Sequence, residues 1–161
     1  MIKEIHRFFP LFVDITGKTV LIIGGGKIAL RRVSTLLQFD CRIHIIAEKP
    51  RSELETLAGE YSGRINIDKR LFRGGDCSVE REPPFFVIAA TDRREVNRAI
   101  AVECSALNIP VSVADCKDES TFYFPATAIN DTIVAGICSG GNDHRALAAA
   151  AVKIREAIGK Q

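Results

Sequence analysis

The chain lacks the features that mark several large classes of protein. Its formal net charge is only +2 over 161 residues, which favours neither nucleic acid nor an anionic membrane surface as a partner. No apolar run reaches the length of about 20 residues that a membrane span needs. The first twelve residues mix charged and aromatic side chains and contain no apolar signal-peptide core. We therefore expect a cytoplasmic protein that binds neither nucleic acid nor a membrane.

Cysteine and histidine also lack an ordered pattern. The five cysteines are scattered and none forms a C-x-x-C pair, which is typical of reduced thiols and argues against a disulfide framework or a zinc site. Of the three histidines, His6 and His44 are interpreted as structural or exposed. The sequence therefore predicts no bound metal.

Glycine, by contrast, is concentrated after one apolar stretch. Val20–Ile23 contains only branched apolar residues, which predicts a strand buried on both faces. Gly24, Gly26 and Ala29 then match the G-x-G-x-x-A fingerprint of dinucleotide-binding folds. In that motif the first glycine allows a tight turn, the second lets a pyrophosphate approach the backbone, and the small third residue lets a helix pack on the strand. The phosphates would lie on free N–H groups at the N-terminus of this helix.

The surrounding sequence strengthens this interpretation. The helix after the glycines has one apolar face, formed by Ala29, Val33, Leu36 and Leu37. A second apolar strand, Arg42–Ala47, completes a βαβ unit of the expected length of about 30 residues. The remaining predicted elements are strands at Ile65–Ile67, Phe85–Ala90 and Val111–Val113, and amphipathic helices with apolar faces over Leu54–Tyr61 and Val96–Leu107.

The start of the chain is too apolar for a free tail. The segment Ile2–Gly17 contains Phe8, Phe9, Leu11 and Phe12. We favour a packed arm or an edge strand that covers the sheet. The alternative is that this arm lines the ligand pocket.

Polar residues follow several of the predicted strands. Glu48 lies about 20 residues past the glycines, where an acidic residue often binds ribose hydroxyls, and it is equally interpreted as a solvated turn residue. Thr91 and Asp92 end the fourth strand at the sheet edge where ligands bind. Asp92 with Glu95 also has the spacing of a helix capping box. Both interpretations of Asp92 are compatible.

The pattern of alternating strands and helices ends after the fifth strand. Thr121–Thr127 and Ile133–Ile137 predict two antiparallel strands joined at residues 130–132. Such a ribbon is not stable alone, and a second copy of itself is a reasonable partner. A last helix, with Asn142 or Asp143 as its cap, has an apolar face formed by Leu147, Ala151, Ile154 and Ile158.

The predicted fold class is α/β. A Rossmann-type parallel sheet with helices on both faces is followed by an antiparallel dimerisation ribbon and a C-terminal helix. The predicted boundaries are residues 1–114 for the Rossmann domain, 115–141 for the dimerisation segment and 142–161 for the C-terminal helix.

Ordered motifs along nearly the whole chain resemble one family. They are Pro10-Leu-Phe-Val13, Gly17-Lys18, Ile23–Ala29, Ala89-Ala-Thr-Asp92, Val96-Asn97, Val113-Ala-Asp115, Thr121-Phe-Tyr-Phe-Pro125 and Ser139-Gly-Gly141. In order and spacing the chain resembles the precorrin-2 dehydrogenase and sirohydrochlorin ferrochelatase family, the N-terminal domain of siroheme synthases.

The resemblance implies an activity and a set of site residues. Members oxidise precorrin-2 to sirohydrochlorin with NAD⁺ on the way to siroheme, some also insert Fe²⁺, and they form homodimers. Asp115 matches the residue associated with catalysis, and Ser139 matches a serine at the substrate pocket. With NAD as the cofactor, the predicted contacts are Gly24, Gly25, Gly26, Lys27, Ile28, Ala29, Glu48, Thr91 and Asp92.

The chain departs from the family pattern in three places. Ser112 replaces the usual asparagine before the catalytic aspartate, and the segment 142–145 lacks the usual proline after the glycine pair. The sequence ends at Gln161, whereas many members continue into more helices. From this we expect dehydrogenase activity with weak or absent iron insertion.

Precorrin-2 carries eight carboxylates, so cations are expected around its cleft. The candidates are Arg93, Arg94, Arg98, Lys117, His144 and Arg145. We expect His144 and Arg145 to lie near the pocket, while Arg94 and Arg98 have the spacing of a solvated helix face. Two other functions remain open: a dinucleotide-sensing regulatory domain without catalysis, and a tetrapyrrole chelatase or carrier with vestigial NAD binding.

Overall fold

The computed structural model describes residues 9–78, 82–139 and 144–159, with the side chain of His144 outside the described part. The chain divides into two compact units. The first is Asp14–Thr121, and the second combines Met1–Val13 with Phe122–Gln161.

The first unit is built on a five-stranded parallel sheet. Its strands are β1 (Thr19–Ile23), β2 (Arg42–Ile46), β3 (Ile65–Asp68), β4 (Phe86–Ala89) and β5 (Val111–Val113). They lie in the order β3-β2-β1-β4-β5, with every neighbouring pair parallel. The chain order therefore reverses between β1 and β4, which is the place where ligands bind in open α/β sheets.

Both faces of this sheet are covered, as the unbroken apolar run of β1 predicts. Leu21 and Ile23 pack in one cluster with Ile100 and Cys104, whereas Val20 and Ile22, on the opposite face, are also fully buried. The helices are α1 (Lys27–Leu36), α2 (Ser52–Glu60) and α3 (Arg94–Ala106).

The apolar faces of these helices lie close to the predicted positions. Helix α1 buries Ala29, Val33 and Leu36, as expected. Helix α3 buries Ile100 and Cys104 as predicted, but its buried stripe also includes Asn97 and Ala101, while Leu107 is 41% exposed. The buried stripe is therefore displaced around the helix by about one residue.

The second unit contains an antiparallel pair and a helix. Strands β6 (Ala126–Ile129) and β7 (Val134–Ile137) pair with Ala126 opposite Ile137, and α4 spans His144–Ala157. The turn lies where the sequence predicts it, because Asn130 Oδ1 accepts hydrogen bonds from the N–H groups of Thr132 (3.0 Å) and Ile133 (2.7 Å).

Polar contacts fasten α4 to this ribbon. The Arg155 guanidinium donates to the carbonyl of Thr127 from Nη2 at 2.9 Å, and Asn130 Nδ2 donates to the carbonyl of Ile158. On α4 itself Ala151 is buried and Leu147 and Ile154 are half-buried, as is Ile158 just after the helix. The predicted caps Asn142 and Asp143 lie outside the described residues.

Two expectations about local structure are wrong. Phe9–Val13 forms no strand, and the side chains of Phe9, Leu11 and Phe12 are 70–87% exposed, so this part of the arm is not packed as predicted. The first ribbon strand begins at Ala126 rather than at Thr121. Thr121 instead bonds to Val111, its N–H donating to the Val111 carbonyl at 2.9 Å. Within the described ranges, every helix is too short or too polar to cross a membrane.

Candidate cofactor and active site

The three glycines after β1 serve different purposes. Gly24 has φ +119°, and a Cβ there would lie 2.2 Å from the carbonyl oxygen of Ala90, so the end of β4 packs directly on its backbone. A Cβ on Gly25 would lie 2.6 Å from Pro50 Cα. These two glycines are required by the packing of the protein itself.

Gly26 has no such internal reason. Its φ of −87° suits any residue, and among the described residues no heavy atom lies within 4 Å of a Cβ built on it. The open space is at the N-cap of α1. A glycine that neither the backbone nor the packing demands is what close approach of a ligand requires.

The N-terminus of α1 offers a binding surface for an anion. Gly26 provides no side-chain cap, the first turn contains no acidic residue, and Lys27 is the first helical residue. The N–H groups of a first turn have no acceptor within the helix, and the helix dipole favours negative charge there. Ala29 is fully buried, whereas Ile28 is 37% exposed. The loop therefore fits a dinucleotide diphosphate.

A buried asparagine holds the loop after β4. Asn97 is completely buried, and its Oδ1 accepts hydrogen bonds from Thr91 N–H (3.0 Å) and from Thr91 Oγ1 (2.7 Å). Its Nδ2 donates to the Thr91 carbonyl at 3.1 Å. Thr91 is therefore fixed beside the glycine loop, at the point where the strand order reverses. The sequence interpretation gave Asn97 no role, although a polar residue on the apolar stripe of α3 is a signal for one.

The predicted capping box at Asp92 is wrong. Helix α3 begins at Arg94 with Arg93 as its N-cap, which makes no side-chain cap bond. Glu95 pairs instead with Arg93, at 2.7 Å. Thr91 explains the difference: its Oγ1 accepts the N–H of Arg93 at 3.2 Å, while Arg93 remains extended. Asp92 is left exposed at the ligand edge of the sheet.

Glu48 lies on an exposed bend just after β2. Because β2 neighbours β1, this bend follows the strand beside the glycine loop. The position suits a contact with ribose hydroxyls.

Asp115 follows β5 at the same edge of the sheet. Its carboxylate is 37% exposed, and Oδ1 lies 3.5 Å from Nη1 of Arg94, the first residue of α3. Nη2 of Arg94 bonds to Glu119 Oε1. This hydrogen bond lowers the pKa of Glu119 below its ordinary value, and Glu119 raises the pKa of Arg94. Arg94 was interpreted from the sequence as a solvated or substrate-facing cation, whereas it bridges two carboxylates.

The residues after Asp115 fold back onto β5. Ser120 Oγ accepts the N–H of Val113 at 2.9 Å, and Thr121 Oγ1 accepts the N–H of Val111 at 2.8 Å. Between these points Lys117–Glu119 forms a short 3₁₀ helix. The loop Ala114–Glu119, which we call the Asp115 loop, is thus closed at its base by hydrogen bonds to the strand before it.

The predicted substrate residues belong to the second unit. Ser139 is half-buried, and its Oγ has no hydrogen-bond partner in the part of the chain that is described. Arg145 is exposed in the first turn of α4, which begins at His144. Asp115 and the glycine loop belong to the first unit, so a site that joins both sets stays a prediction.

His44 and Cys104 lie close to other side chains of the protein. His44 Nε2 lies 3.2 Å from Asp68 Oδ2, and Cys104 Sγ lies 3.7 Å from Cys77 Sγ in the buried core. Over the described ranges, no group of three or more His, Cys, Asp or Glu side chains could hold a metal ion.

Comparison with known proteins supports the predicted cofactor class. A family model described as "Putative NAD(P)-binding" matches residues 11–126. The "Probable multifunctional siroheme biosynthesis protein HemA" of Ruminiclostridium josui is 40% identical over 149 residues, which are 92% of this chain and 28% of that protein. The "Siroheme synthase" of Ectopseudomonas mendocina is 36% identical over 136 residues, 84% of this chain and 28% of that protein.

A solved structure shares the fold. The chain named "SirC, precorrin-2 dehydrogenase" superposes with a TM-score of 0.69 at 22% identity, covering 94% of this chain and 69% of that one. The predicted fold class is thereby confirmed.

The chain belongs to the family of NAD(P)-binding domains, and the predicted cofactor class is confirmed. Its resemblance to the N-terminal region of siroheme synthases is confirmed as well. The chain spans 28% of the length of these two curated relatives.

Proposed function

We propose that this chain oxidises precorrin-2 to sirohydrochlorin with NAD⁺ in the synthesis of siroheme. The observation that carries the proposal is the position of Asp115. It follows β5 at the carboxyl edge of the sheet, beside β4, whose end packs on the glycine loop. A carboxylate thus shares an edge with the dinucleotide loop, and the similarity to two proteins named for siroheme synthesis extends over 84% and 92% of the chain.

The glycine loop and its flanking residues would hold the dinucleotide. The backbone of Gly25, Gly26 and the first turn of α1 would receive the diphosphate, and Lys27 would add a positive charge. Glu48 would accept hydrogen bonds from ribose, which favours NAD over NADP. Thr91 and Asp92, which follow β4, would border the site where the strand order reverses between β1 and β4. When bound, NAD⁺ supplies the acceptor for a hydride.

Asp115 would then remove the proton. Oxidation takes a hydride, with both electrons of a C–H bond, to NAD⁺ and releases one proton from the substrate. An ionised carboxylate can accept that proton, and a general base of this kind typically contributes about 10²- to 10⁴-fold to the rate. The remaining contribution of the protein is to hold both reactants in line.

Ser139, His144 and Arg145 would bind the substrate. Precorrin-2 is rich in carboxylates, so a cationic side chain in the first turn of α4 suits its charge. Arg145 is exposed there and is therefore available for such a contact.

A homodimer built on the ribbon is part of this proposal. Strands β6 and β7 form a separate two-stranded sheet, and Ile133 and Val134 at its turn are 40–45% exposed. A second ribbon would cover this apolar surface. Sedimentation at micromolar concentration should show a dimer, and a monomer alone would contradict this assembly. The buried cysteines Cys41, Cys77 and Cys104 are reduced, which suits the reducing cytoplasm, where we place the reaction.

The direct test is anaerobic incubation of the chain with precorrin-2 and NAD⁺. We expect NADH and sirohydrochlorin to appear in equal amounts, each followed by its absorbance. Binding of NAD⁺ without oxidation of precorrin-2 would instead favour a sensor. Insertion of a metal ion into the tetrapyrrole without NAD⁺ binding would favour a chelatase or carrier.

A matched variant tests the cofactor loop. Gly26→Val places a branched side chain into the open space at the N-cap of α1. The fold should persist, as far-UV circular dichroism would show, while NAD⁺ binding is lost. Unchanged NAD⁺ affinity in the folded variant would contradict the proposed binding mode.

A further inference from the structure

We propose that Arg94 is a positioning residue, which holds the carboxylate of Asp115 at the ligand edge of the sheet through an ion pair braced by Glu119. This inference rests on the proposed function, because it assigns Arg94 to the same reaction.

The geometry separates the two contacts of Arg94. Its Nη2 makes a hydrogen bond to Glu119 Oε1, while its Nη1 lies 3.5 Å from Asp115 Oδ1. The second distance is that of an ion pair and exceeds hydrogen-bond length. The guanidinium is therefore fixed by Glu119, and the oxygens of Asp115 are attracted without giving their lone pairs to Arg94. A carboxylate held in this way can still accept a proton.

The two contacts of Arg94 link three neighbouring elements. Arg94 begins α3, Asp115 leaves β5, and Glu119 ends the 3₁₀ helix of the Asp115 loop. Ser120 and Thr121 close the base of this loop on β5, but their bonds lie beyond its far end. Cys116 also packs against the core beside α3, but Arg94 is the α3 side chain that contacts both carboxylates of the Asp115 loop.

A role in substrate binding fits the geometry less well. Both terminal nitrogens of Arg94 already face carboxylates of the protein. A substrate carboxylate would have to displace one of them. A role in stability fits poorly too, since the three side chains are 28–44% exposed and exposed ion pairs contribute little.

The test compares Arg94→Gln, Arg94→Lys and a control in steady-state oxidation of precorrin-2. Arg94→Gln should lower kcat by roughly 10- to 100-fold, the scale of a small misplacement of a reacting group. The KM for precorrin-2 and the Kd for NAD⁺ should stay unchanged. Arg94→Lys keeps the charge and should restore part of kcat. The control is Arg42→Gln. Arg42 is exposed at the start of β2, far from the carboxyl ends of the strands, so this variant should behave as wild type.

A double variant shows whether Arg94 acts through Asp115. In the Asp115→Asn background, Arg94→Gln should cause no further loss of kcat, because the group that it positions has already lost its function. Losses that multiply would overturn the inference. So would a wild-type kcat in Arg94→Gln, or a raised KM for precorrin-2 with unchanged kcat, which would indicate binding of a substrate carboxylate. In these cases the proposed function stands, whereas a wild-type chain with no oxidation of precorrin-2 overturns both.

Discussion

The two loops at the ligand edge of the sheet are held by opposite means. The loop after β4 is fixed by Asn97, a neutral and fully buried side chain with three hydrogen bonds to Thr91. The Asp115 loop after β5 is held on its outer side by exposed ion pairs of Arg94. Buried hydrogen bonds between neutral groups hold a loop rigidly. Exposed ion pairs are screened by water and salt, and breaking them costs little free energy.

This contrast matches what each loop would do. The first loop borders the dinucleotide site and packs against Gly24, so movement there would disturb the core. In the proposed function, the second carries a carboxylate that would meet a large substrate and exchange a proton with water. Substitutions that disturb the first loop should therefore lower stability, whereas substitutions in the second loop should lower turnover and leave stability nearly unchanged.

The largest effect is expected where the first loop meets the glycines. Gly24→Ala puts a Cβ 2.2 Å from the carbonyl oxygen of Ala90, at a φ of +119°. The atoms that this Cβ meets belong to the backbone and cannot rotate away. A loss of about 4 kcal/mol or more in the free energy of unfolding is expected from such a clash and strain. Urea denaturation measures it. Gly26→Ala is the matched control, since its Cβ meets only open space, and an equally large loss there would contradict the distinction between the two glycines.

A smaller loss of stability is expected when the buried side chain of Asn97 is removed. Asn97→Ala removes three hydrogen bonds and leaves a cavity, which should cost about 2–3 kcal/mol in the free energy of unfolding. The measurement is again the urea midpoint. Asn66→Ala, at an exposed position on β3, should change stability very little. If both variants were equally stable, Asn97 would not be the fixed point of this loop.

The smallest effect concerns the pH dependence of the second loop. Arg94 lowers the pKa of Glu119, so the contribution of this pair to stability is present above the ordinary carboxyl pKa of 4.5 and is lost as the pH falls through the lower folded value. In Arg94→Gln the pKa of Glu119 should rise toward 4.5. An NMR titration of the Glu119 carboxyl would show this, and the free energy of unfolding at neutral pH should fall only slightly, because the pair is partly exposed. A pKa of Glu119 that does not respond would mean that Arg94 is not its partner in solution.

The sheet could be predicted because its signals are local. Unbroken apolar runs mark buried parallel strands, and β5 begins and ends where predicted. The fingerprint alone predicted that Gly24 is needed for the turn after β1, and the contact of Gly26 with a diphosphate stays a prediction. The prediction of Asp115 as a catalytic residue came from the resemblance to a family. A single aspartate after a strand would not by itself have justified it.

The remaining features depend on which segments meet in space. Arg94 is an ordinary helix residue by sequence, and its contacts with Asp115 and Glu119 follow from the adjacency of β4 and β5. Asn97 is marked as unusual by its place on the apolar stripe of α3, but the sequence does not show that it binds Thr91. The capping box failed because Thr91 binds the N–H of Arg93, which delays the start of α3. Thr121 reads as a β-former, but it bonds to the edge strand β5 instead of joining the ribbon.

The most direct test of the central claim is a single-turnover measurement on Asp115→Asn, under conditions in which chemistry limits the rate. Asparagine keeps the shape of the side chain and removes its basicity, so oxidation of precorrin-2 should slow by about 10²- to 10⁴-fold. The Kd for NAD⁺ should stay unchanged, and Asp118→Asn, exposed on the same loop, should react at the wild-type rate. Wild-type turnover by Asp115→Asn would show that Asp115 is not the base and that the proposed mechanism is wrong.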